Sequence, residues 1–278
     1  MSLQSLSEWL RCPNCFLPLT SSGRLVLACD SGHAFDANKR GYVSLLSGAH
    51  KFIGDSAVML DARDRFQSGG WYEPLRDAIS HVIGAESPRR ILDVGCGSGY
   101  YLRGVLPPEP SSIRALGMDL SPAAVVRTVQ HPASIDGLVA DVWSPLPIRN
   151  GAADVILNVF APRNAAEFHR VLRPGGLLLV VVPQPTHLQE LRAAGLAVDM
   201  QQDKAVHLTA GLAEWFVPES RTALSRLMHL DAVDVAALIG MGPSAHHTDP
   251  ASLGSAEDVQ RDVTAAFDLF SFRRRDLA

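Results

Sequence analysis

The sequence predicts an α/β protein in which a doubly wound, parallel sheet carries a smaller metal-binding module at its N-terminus. From residue 89 onward, short apolar runs alternate with helical patterns, as the strands and crossover helices of such a sheet require. The first of these runs ends in an acidic residue and then breaks into glycines at alternate positions, within residues 93–99. Three of the four cysteines lie within the first 29 residues, which indicates a local metal site rather than a disulfide scaffold.

Length and composition indicate a well-packed protein with no membrane span. The 278 residues suffice for one full α/β domain and a smaller module. No apolar run approaches the roughly 18 residues of a membrane span, and the first eleven residues lack a signal-peptide layout. We therefore expect a cytoplasmic protein. The net charge of −4 argues against nucleic-acid binding by the chain as a whole but is compatible with a local basic patch.

The N-terminal cysteines form two ligand pairs. Cys12 and Cys15 are separated by two residues, and Cys29 and His33 follow after a 13-residue gap. Two turns that each carry two soft or borderline ligands fit a closed, tetrahedral Cys3His zinc site. A closed shell leaves no position for water, so the Zn²⁺ would be structural and would fold a segment too small for a core of its own. Three unrelated buried cysteines are the alternative, which the spacing disfavours.

Two helices are predicted between this module and the glycine-rich stretch. The first spans residues 55–67, with Met59, Ala62 and Phe66 on one face, and a Gly-Gly pair ends it. The second spans residues 74–83. We therefore divide the chain into a metal-binding module over residues 1–50, a helical linker over 51–75 and a cofactor-binding domain over 76–278.

The remaining elements follow the strand–helix alternation. Five strands are predicted, at residues 90–94, 113–118, 137–140, 153–159 and 177–182. Helices at residues 122–130 and 165–172 and a turn at 173–176 connect some of them. A strand at 220–230, a helix at 232–239 and a last strand at 265–273 complete the pattern, and residues 187–219 have no clear periodicity.

The glycine-rich turn predicts a nucleotide site. Glycines remove side chains where a ligand lies against the backbone, and the following helix presents free N–H groups. The spacing of Gly95, Gly97 and Gly99 differs from the Gly-x-Gly-x-x-Gly of dinucleotide pyrophosphate sites. Asp93, directly before the turn, would repel a pyrophosphate but suits a cationic amino-acid group. A dinucleotide or P-loop enzyme is the alternative.

Two further acidic residues end the next two strands. Asp119 follows Gly99 by 20 residues, at the place where a carboxylate accepts hydrogen bonds from ribose hydroxyls. Asp141 ends the third strand, near where an adenine amino group would lie.

Four features of the sequence together resemble one enzyme family. They are residues 93–99 (Asp-Val-Gly-Cys-Gly-Ser-Gly), Asp119, Asp141 and residues 172–176 (Leu-Arg-Pro-Gly-Gly). The family is the class I S-adenosylmethionine-dependent methyltransferases. The resemblance implies a Rossmann-like sheet and S-adenosylmethionine as cofactor, with Asp119 on its ribose. The implied cofactor contacts in and beside the turn are Asp93, Gly95, Cys96, Gly97, Ser98, Gly99 and Tyr100. Cys96 is also the one cysteine outside the predicted metal site.

The N-terminal motifs narrow the resemblance. The segments that carry the narrower resemblance are the two ligand pairs and residues 39–46 (Lys-Arg-Gly-Tyr-Val-Ser-Leu-Leu), 54–56 (Gly-Asp-Ser), 70–77 (Gly-Trp-Tyr-Glu-Pro-Leu-Arg-Asp) and 95–101. Together they resemble the RlmA-type 23S rRNA (guanine-N1)-methyltransferases. The resemblance covers the chain to about residue 190. It implies methylation of N1 of a guanine in a 23S rRNA hairpin loop at the peptide exit tunnel. The Gram-positive branch of this family includes enzymes that confer resistance to tylosin-like macrolides.

The resemblance also implies roles for individual residues. Tyr72 and His187 would neighbour the cofactor. The zinc module would recognise RNA, and a homodimer would hold the rRNA hairpin in a cleft. We expect the basic residues around the module to bind the RNA: Lys39, Arg40 and Lys51.

The loop after the fourth strand is the expected site of the target base. Phe160 would stack on a flipped guanine and Asn158 would contact the edge of that base. The alternative for Phe160 is packing on the following helix. No residue is identified as a general base, and His246 and His247 are candidates without an assigned role.

Two other functions fit parts of the pattern. A small-molecule methyltransferase would use the N-terminal module as a lid. A zinc site would be unusual in a lid over a small pocket. A non-catalytic RNA-binding protein with a vestigial cofactor domain would have little reason to retain the three glycines and Asp119.

Overall fold

The computed structural model describes residues 3–46, 54–107, 112–130, 135–198, 203–242 and 260–276. These residues form an 11-stranded sheet with helices on both faces. None of the helices in these ranges is both long and apolar enough to cross a membrane.

The N-terminal segment begins with a helix and continues as a small antiparallel meander. Its elements are α1 (Leu3–Trp9), β1 (Thr20–Ser21), β2 (Val26–Ala28), β3 (Ala34–Asn38) and β4 (Tyr42–Ser44). Each strand pairs antiparallel with the next one along the chain. β2 lies within the 13-residue gap between the two predicted ligand pairs.

Two helices follow, close to their predicted positions. α2 (Ala57–Ser68) begins where the Ser56 hydroxyl accepts a hydrogen bond from the backbone N–H of Met59, an N-cap that satisfies a free donor. α3 (Glu73–Glu86) begins directly after Tyr72 and has Pro74 in its first turn, where a missing N–H costs nothing.

The five predicted parallel strands are present within a few residues of their predicted bounds, together with three helices between them. The strands are β5 (Arg90–Val94), β6 (Arg114–Asp119), β7 (Ile135–Val139), β8 (Ala153–Val159) and β9 (Leu172–Pro183). The helices are α4 (Tyr100–Val105), α5 (Pro122–Val129) and α6 (Ala165–Val171). The turn predicted at residues 173–176 lies inside β9 as a bulge, because Leu172 pairs with Ala153 whereas Leu177 pairs with Val155.

The C-terminal part completes the sheet with two long strands. Its elements are α7 (Gln189–Ala193), α8 (Lys204–Leu212), β10 (Phe216–Leu230), α9 (Ala232–Gly240) and β11 (Arg261–Arg274). β11 lies antiparallel between β9 and β10. The strand order of the larger part is β7-β6-β5-β8-β9-β11-β10, so the winding reverses between β5 and β8. Ligands of such sheets bind beyond the carboxyl ends of the strands at this reversal.

The N-terminal meander is built onto the edge of the large sheet. β4 runs parallel to β7, with Tyr42 opposite Gly137 and Ser44 opposite Val139. Apolar side chains of α1, including Leu6 and Trp9, belong to the same buried cluster as the strands of one sheet face. The module and the large sheet therefore share a hydrophobic core.

Polar contacts reinforce this docking. The Glu8 carboxylate pairs with Arg90 at 2.9 Å and Arg114 at 2.6 Å, at the beginnings of β5 and β6. Arg149 donates to the backbone carbonyls of Leu10 and Leu19 at 2.8 and 2.7 Å. These bonds tie the backbone of the module to the segment between β7 and β8.

Candidate active site and metal centre

The glycine turn connects the ends of β5 and β6. The backbone N–H of Gly95 donates to the carbonyl of Met118 at 2.8 Å, and the N–H of Gly97 donates to Asp119 Oδ2 at 2.9 Å. Gly95 has a φ of +82°, and a Cβ on it would lie 2.3 Å from Ala161 Cβ. The turn therefore requires glycine there for both its conformation and the close approach of the loop after β8.

The two side chains within the turn face inward. Cys96 Sγ accepts a hydrogen bond from Thr128 Oγ1 at 3.3 Å, and burial raises the pKa of its thiol. Ser98 Oγ donates to Gln67 Oε1 at 3.1 Å. These side chains hold the turn against α5 and α2. Any contact of Cys96 or Ser98 with the cofactor would therefore be made by backbone atoms.

The two strand-end carboxyl groups lie close together. Asp93 is 2% exposed, and burial, followed by the charge of Asp119, raises its pKa to about 8. Asp119 accepts backbone N–H groups from Gly97 and Ser121, each at 2.9 Å, while burial raises its pKa. Because a nearby cation favours the ionised form of a buried acid, Asp93 suits an ammonium group. Asp119 keeps lone pairs available for hydroxyl donors.

Tyr101 provides an independent observation on the ligand. Its hydroxyl is buried and has no hydrogen-bond partner within the described part of the chain. A buried hydroxyl without a partner is costly, so the structure favours a polar ligand beside it. The charge of Asp93 reaches this hydroxyl. These residues together fit a nucleoside with an amino-acid group, which is the chemistry of S-adenosylmethionine.

An aromatic wall continues from this site, and we define it as Tyr72, Phe160, His187 and Phe267. Phe267 occupies its centre, with ring centroids 5.0 Å from Tyr72, 5.3 Å from Phe160 and 4.7 Å from His187. Phe267 has no distinguishing signal in the sequence, because only the pairing of β11 with β9 brings it here.

His187 is fixed in the wall as a neutral acceptor. Its Nδ1 accepts the backbone N–H of Ala266 at 3.2 Å. Burial, followed by the charges of Arg192 and Lys204, lowers the pKa of His187 to about 3. The imidazole is therefore uncharged at neutral pH and is a weak base there.

The loop after β8 lies over the glycine turn. Phe160 has a φ of +55° and is 44% exposed, a strained backbone for a non-glycine residue. Asn158 below it is fully buried, and its Nδ2 donates to the carbonyls of Val94 at 3.1 Å and Pro162 at 3.0 Å. Asn158 therefore ties this loop to β5, and its contact with a base stays a prediction.

Asp141 lies two residues beyond the end of β7, on the same edge of the sheet as Asp93 and Asp119. It organises its own loop, because its carboxylate accepts the backbone N–H of Trp143 at 3.0 Å and the hydroxyl of Ser144 at 3.1 Å. Trp143 beside it is 67% exposed. The structure thus places an ordered acid and an exposed ring where the adenine end of the cofactor is expected.

The four predicted metal ligands converge on one point. The ligand atoms of Cys12, Cys15, Cys29 and His33 all lie within 4.8 Å of one another. The separations are 3.6 Å from Cys12 Sγ and 3.5 Å from Cys29 Sγ to His33 Nδ1, and 3.6 Å between the sulfurs of Cys15 and Cys29. Tetrahedral Zn²⁺ requires about 3.6 Å between S and N and about 3.8 Å between two sulfurs. The donor set and its spacing therefore fit Zn²⁺.

The local backbone supports metal binding. A hydrogen bond from the backbone of Leu17 is the largest cause that lowers the pKa of Cys15 to about 6, which favours the thiolate that binds metals. Gly32, in the turn between Cys29 and His33, has a φ of +82° and donates its N–H to the carbonyl of Cys29 at 2.9 Å. With all four positions supplied by side chains, the site has the composition of a structural zinc centre.

Two of the predicted RNA-binding residues lie away from the cofactor edge. Lys39 and Arg40 are exposed in the turn between β3 and β4. That turn precedes β4, so it lies at the end of the sheet where the parallel strands begin, opposite the cofactor edge. Lys51, His246 and His247 lie outside the described residues.

Known proteins show the same two parts. Residues 10–52 match the family model described as RlmA, N-terminal, and residues 91–176 match the model described as a methyltransferase domain. A 23S rRNA (guanine(748)-N(1))-methyltransferase of Streptomyces fradiae is 39% identical over 254 residues, which cover 90% of each chain. A Micromonospora griseorubida relative assigned to the same class is 37% identical over 288 residues, which cover 95% of this chain and 97% of the relative. Among solved structures, the YcgJ protein of Bacillus subtilis matches 72% of this chain and 99% of its own, with 14% identity and a TM-score of 0.47.

The two matched segments contain the zinc ligands and the glycine turn, in the order and geometry described above. The α/β fold with an N-terminal zinc ribbon and the use of S-adenosylmethionine and zinc are thus confirmed. With relatives of this identity aligned over nearly its full length, the chain belongs to the RlmA-type family of 23S rRNA (guanine-N1)-methyltransferases.

Proposed function

We propose that this protein transfers a methyl group from S-adenosylmethionine to N1 of a guanine in a 23S rRNA hairpin loop. The observation that carries the proposal is the fusion of an RlmA-type zinc module, through the pairing of β4 with β7, to an intact cofactor edge. The relatives named for this reaction align with 90% or more of this chain, which includes both parts. The reaction would take place in the cytoplasm, where ribosomes are found.

The chain's contribution to the reaction is orientation. The bound cofactor supplies a methyl group on a sulfonium, and the transfer is a direct displacement that depends on alignment of the two reacting atoms. Asp93, Asp119 and Asp141 would hold the amino-acid, ribose and adenine ends, and the aromatic wall would exclude water beside the sulfonium. His187, with its pKa lowered to about 3, is unsuited to accept the N1 proton.

Phe160 is the proposed platform for the target guanine. Its ring is exposed beside Phe267, and Tyr101 lies behind it with ring centroids 6.5 Å apart. A guanine displayed in an rRNA loop can leave its stack and lie on such a ring. Asn158, which fixes the loop from below, would set the position of Phe160, and its buried Oδ1 has no partner in the described part of the chain.

Two separate groups of basic residues would hold the RNA. Lys39, Arg40 and Lys51 form the first, which we propose for phosphates of the hairpin stem. β7 spans five residues, or about 17 Å, between the edge that carries Lys39 and Arg40 and the cofactor edge. The RNA would therefore extend along the β7 side of the sheet.

The second group lies beside the aromatic wall, and we call Arg163, Arg192 and Lys204 the cationic triad. Burial, followed by the charges of Arg163 and Arg192, lowers the pKa of Lys204, so the three cations are close together. Within the described ranges, none of them forms an ion pair with a carboxylate. Cations that repel one another in this way favour a phosphate between them, and we propose that the triad binds the backbone next to the target base.

Methylation in the exit tunnel would confer resistance to tylosin-like macrolides. The support is the family membership and the position implied by the name of the Streptomyces fradiae relative. Expression of the gene in a sensitive host should raise the inhibitory concentration of tylosin, and a variant unable to bind cofactor should not.

We further propose a homodimer. β10 is a long edge strand, paired on one side with β11, and most of its residues are exposed. Such an edge offers backbone groups to a second copy. Light scattering at micromolar concentration should give twice the 29.9 kDa chain mass, and a monomer mass would contradict the dimer.

The reaction itself is tested with purified protein, S-adenosylmethionine and deproteinised 23S rRNA. We expect N1-methylguanosine in the nucleoside digest by mass spectrometry. Methylation of small molecules without methylation of rRNA would contradict the proposal and favour a small-molecule methyltransferase. Cofactor binding without any methyl transfer would favour a non-catalytic RNA-binding protein.

A further inference from the structure

Arg63 of α2 lies across the glycine turn. Its Nη1 is 2.7 Å from the position that a Cβ on Gly97 would occupy. The same nitrogen donates to Asp55 Oδ2 at 2.5 Å, and Nη2 donates to the carbonyl of Met241 at 3.0 Å. Its side chain retains 21% exposure. Gly97 thus leaves room for a guanidinium directly above the turn.

The guanidinium faces the groups assigned to the cofactor. The charge of Arg63 acts on the carboxyl group of Asp119 and on the hydroxyl of Tyr101. Asp93 acts on the same hydroxyl. One basic side chain, Arg63, and three acidic ones, Asp55, Asp93 and Asp119, therefore lie around the space in front of Gly97, with an unpartnered buried hydroxyl beside them.

The amino-acid end of S-adenosylmethionine carries one ammonium and one carboxylate. The buried carboxyl group of Asp93 is the complement of the ammonium. The carboxylate needs cationic or N–H donors, and a guanidinium presents five donors in a planar fork that matches a carboxylate. Arg63 uses one N–H on Asp55 and one on Met241, which leaves three of its five donors for an anion.

We propose that Arg63 binds the carboxylate of the methionyl group of S-adenosylmethionine and so selects ligands with a complete amino-acid end. The proposal rests on the cofactor assigned to this family and extends it to a residue of α2. The binding site is then closed from above by a helix that lies before the methyltransferase domain match at residues 91–176. A purely structural Arg63, which ties α2 to Met241, is the competing account.

Isothermal titration calorimetry separates the two accounts with a pair of ligands. S-adenosylhomocysteine has the complete amino-acid end, and its decarboxylated analogue keeps the ammonium but lacks the carboxylate. We expect Arg63→Met to weaken S-adenosylhomocysteine binding by about tenfold or more, the usual size of a charge-assisted contact. The decarboxylated analogue should change by less than about twofold, since it has no group for Arg63 to bind. Arg63→Lys keeps the charge but loses the planar fork of donors. Its affinity for S-adenosylhomocysteine should therefore lie between those of the unmodified protein and Arg63→Met.

Arg65→Met is the matched control, because Arg65 is an exposed arginine in the same helix. It should leave both affinities unchanged. Equal weakening of both ligands by Arg63→Met, or no weakening of either, would overturn the proposal. Binding of the decarboxylated analogue also reports that the variant is folded. Failure of the unmodified protein to bind S-adenosylhomocysteine would overturn the cofactor assignment, and this proposal with it.

Discussion

The backbone N–H of Gly97 donates to the carboxylate of Asp119 over 2.9 Å. This bond joins the turn after β5 to the end of β6, so one carboxyl group both shapes the turn and faces the ribose position. A change at Asp119 should therefore affect cofactor affinity and stability together.

Asp119→Ala should weaken S-adenosylhomocysteine binding by about tenfold to a hundredfold and lower the free energy of unfolding by about 1–3 kcal/mol, because two backbone donors lose their acceptor. Calorimetry and urea unfolding measure the two effects. Asp77→Ala, at an exposed carboxylate of α3, is the control and should change neither. Unchanged affinity in Asp119→Ala would remove Asp119 from the site.

Cofactor binding should depend on pH through Asp93. Its pKa is raised to about 8 in the ligand-free protein, so below pH 8 the carboxyl group is mostly protonated. An ammonium ligand favours the ionised form, so binding below pH 8 releases a proton. Affinity should rise by up to about tenfold per pH unit between pH 6 and 8 and then level off. His187, with a pKa of about 3, stays neutral throughout this range.

Calorimetry in buffers with different ionisation enthalpies counts the released proton directly. Asp93→Asn has no proton to release, so its weaker binding should be independent of pH over the same range. Proton uptake on binding, or an equal pH dependence in Asp93→Asn, would show that another group is responsible.

Zinc should be required for the stability of the whole chain. The module shares a buried cluster with the large sheet and pairs with it through β4. Metal analysis should give one Zn²⁺ per chain, and Cys15→Ser should lose the metal and lower the melting temperature by about 10 °C or more. Cys96→Ala, outside the cluster, should retain a full equivalent of zinc. A metal-free Cys15→Ser protein with an unchanged melting temperature would contradict the shared core.

The first basic group should determine part of the salt dependence of RNA binding. Replacement of Lys39, Arg40 and Lys51 by alanine removes up to three phosphate contacts. The slope of log affinity against log salt should become shallower by about 2–3. Arg261→Ala changes an exposed arginine at the start of β11, which five strands separate from β4, and should leave the slope unaltered. An unchanged slope in the triple variant would move the RNA contact to another surface, and the cationic triad would be the next to test.

Phe160→Ala should separate base binding from cofactor binding. Loss of the stacking ring should lower the rate of rRNA methylation by about tenfold or more, since stacking on an aromatic ring contributes about 1–3 kcal/mol per base. S-adenosylhomocysteine affinity should change by less than about threefold, because Phe160 is the exposed member of the aromatic wall and packs on Phe267 with ring centroids 5.3 Å apart. Phe160→Tyr should restore the rate. Equal losses in rate and cofactor affinity would mean that the ring only supports the wall.

The strands of the large sheet were predictable because each is a local apolar run with an evident end. β5 lies at the predicted residues 90–94, closed by the glycine turn, and β6 and β8 agree to within one residue. Residues 187–219 contain α7 and α8, whose short helical patterns of five and nine residues could not be distinguished from loop by periodicity. Tertiary packing, through Leu191, Leu208 and Leu212, defines these helices.

The placement of residues next to a motif was equally predictable, and that of residues brought in by tertiary contacts was not. The metal ligands and Asp119 follow from spacing alone. Phe267 and Arg63 belong to ordinary strand and helix patterns, and only the packing of β11 on β9 and of α2 on the glycine turn brings them to the site. Tyr101 is the second of two aromatic residues directly after the turn, which was a signal in the sequence. Its relation to the ligand became evident only from its unpartnered hydroxyl.

Primer extension on 23S rRNA, isolated from a host with and without this gene, tests the central claim most directly. We expect a new stop one nucleotide before a single guanine in a hairpin loop that lines the exit tunnel, and the Asp119→Ala gene should produce a weaker stop. Mass spectrometry of that fragment should identify N1-methylguanosine. Identical extension patterns in the two hosts, with the protein expressed and loaded with cofactor, would contradict the account.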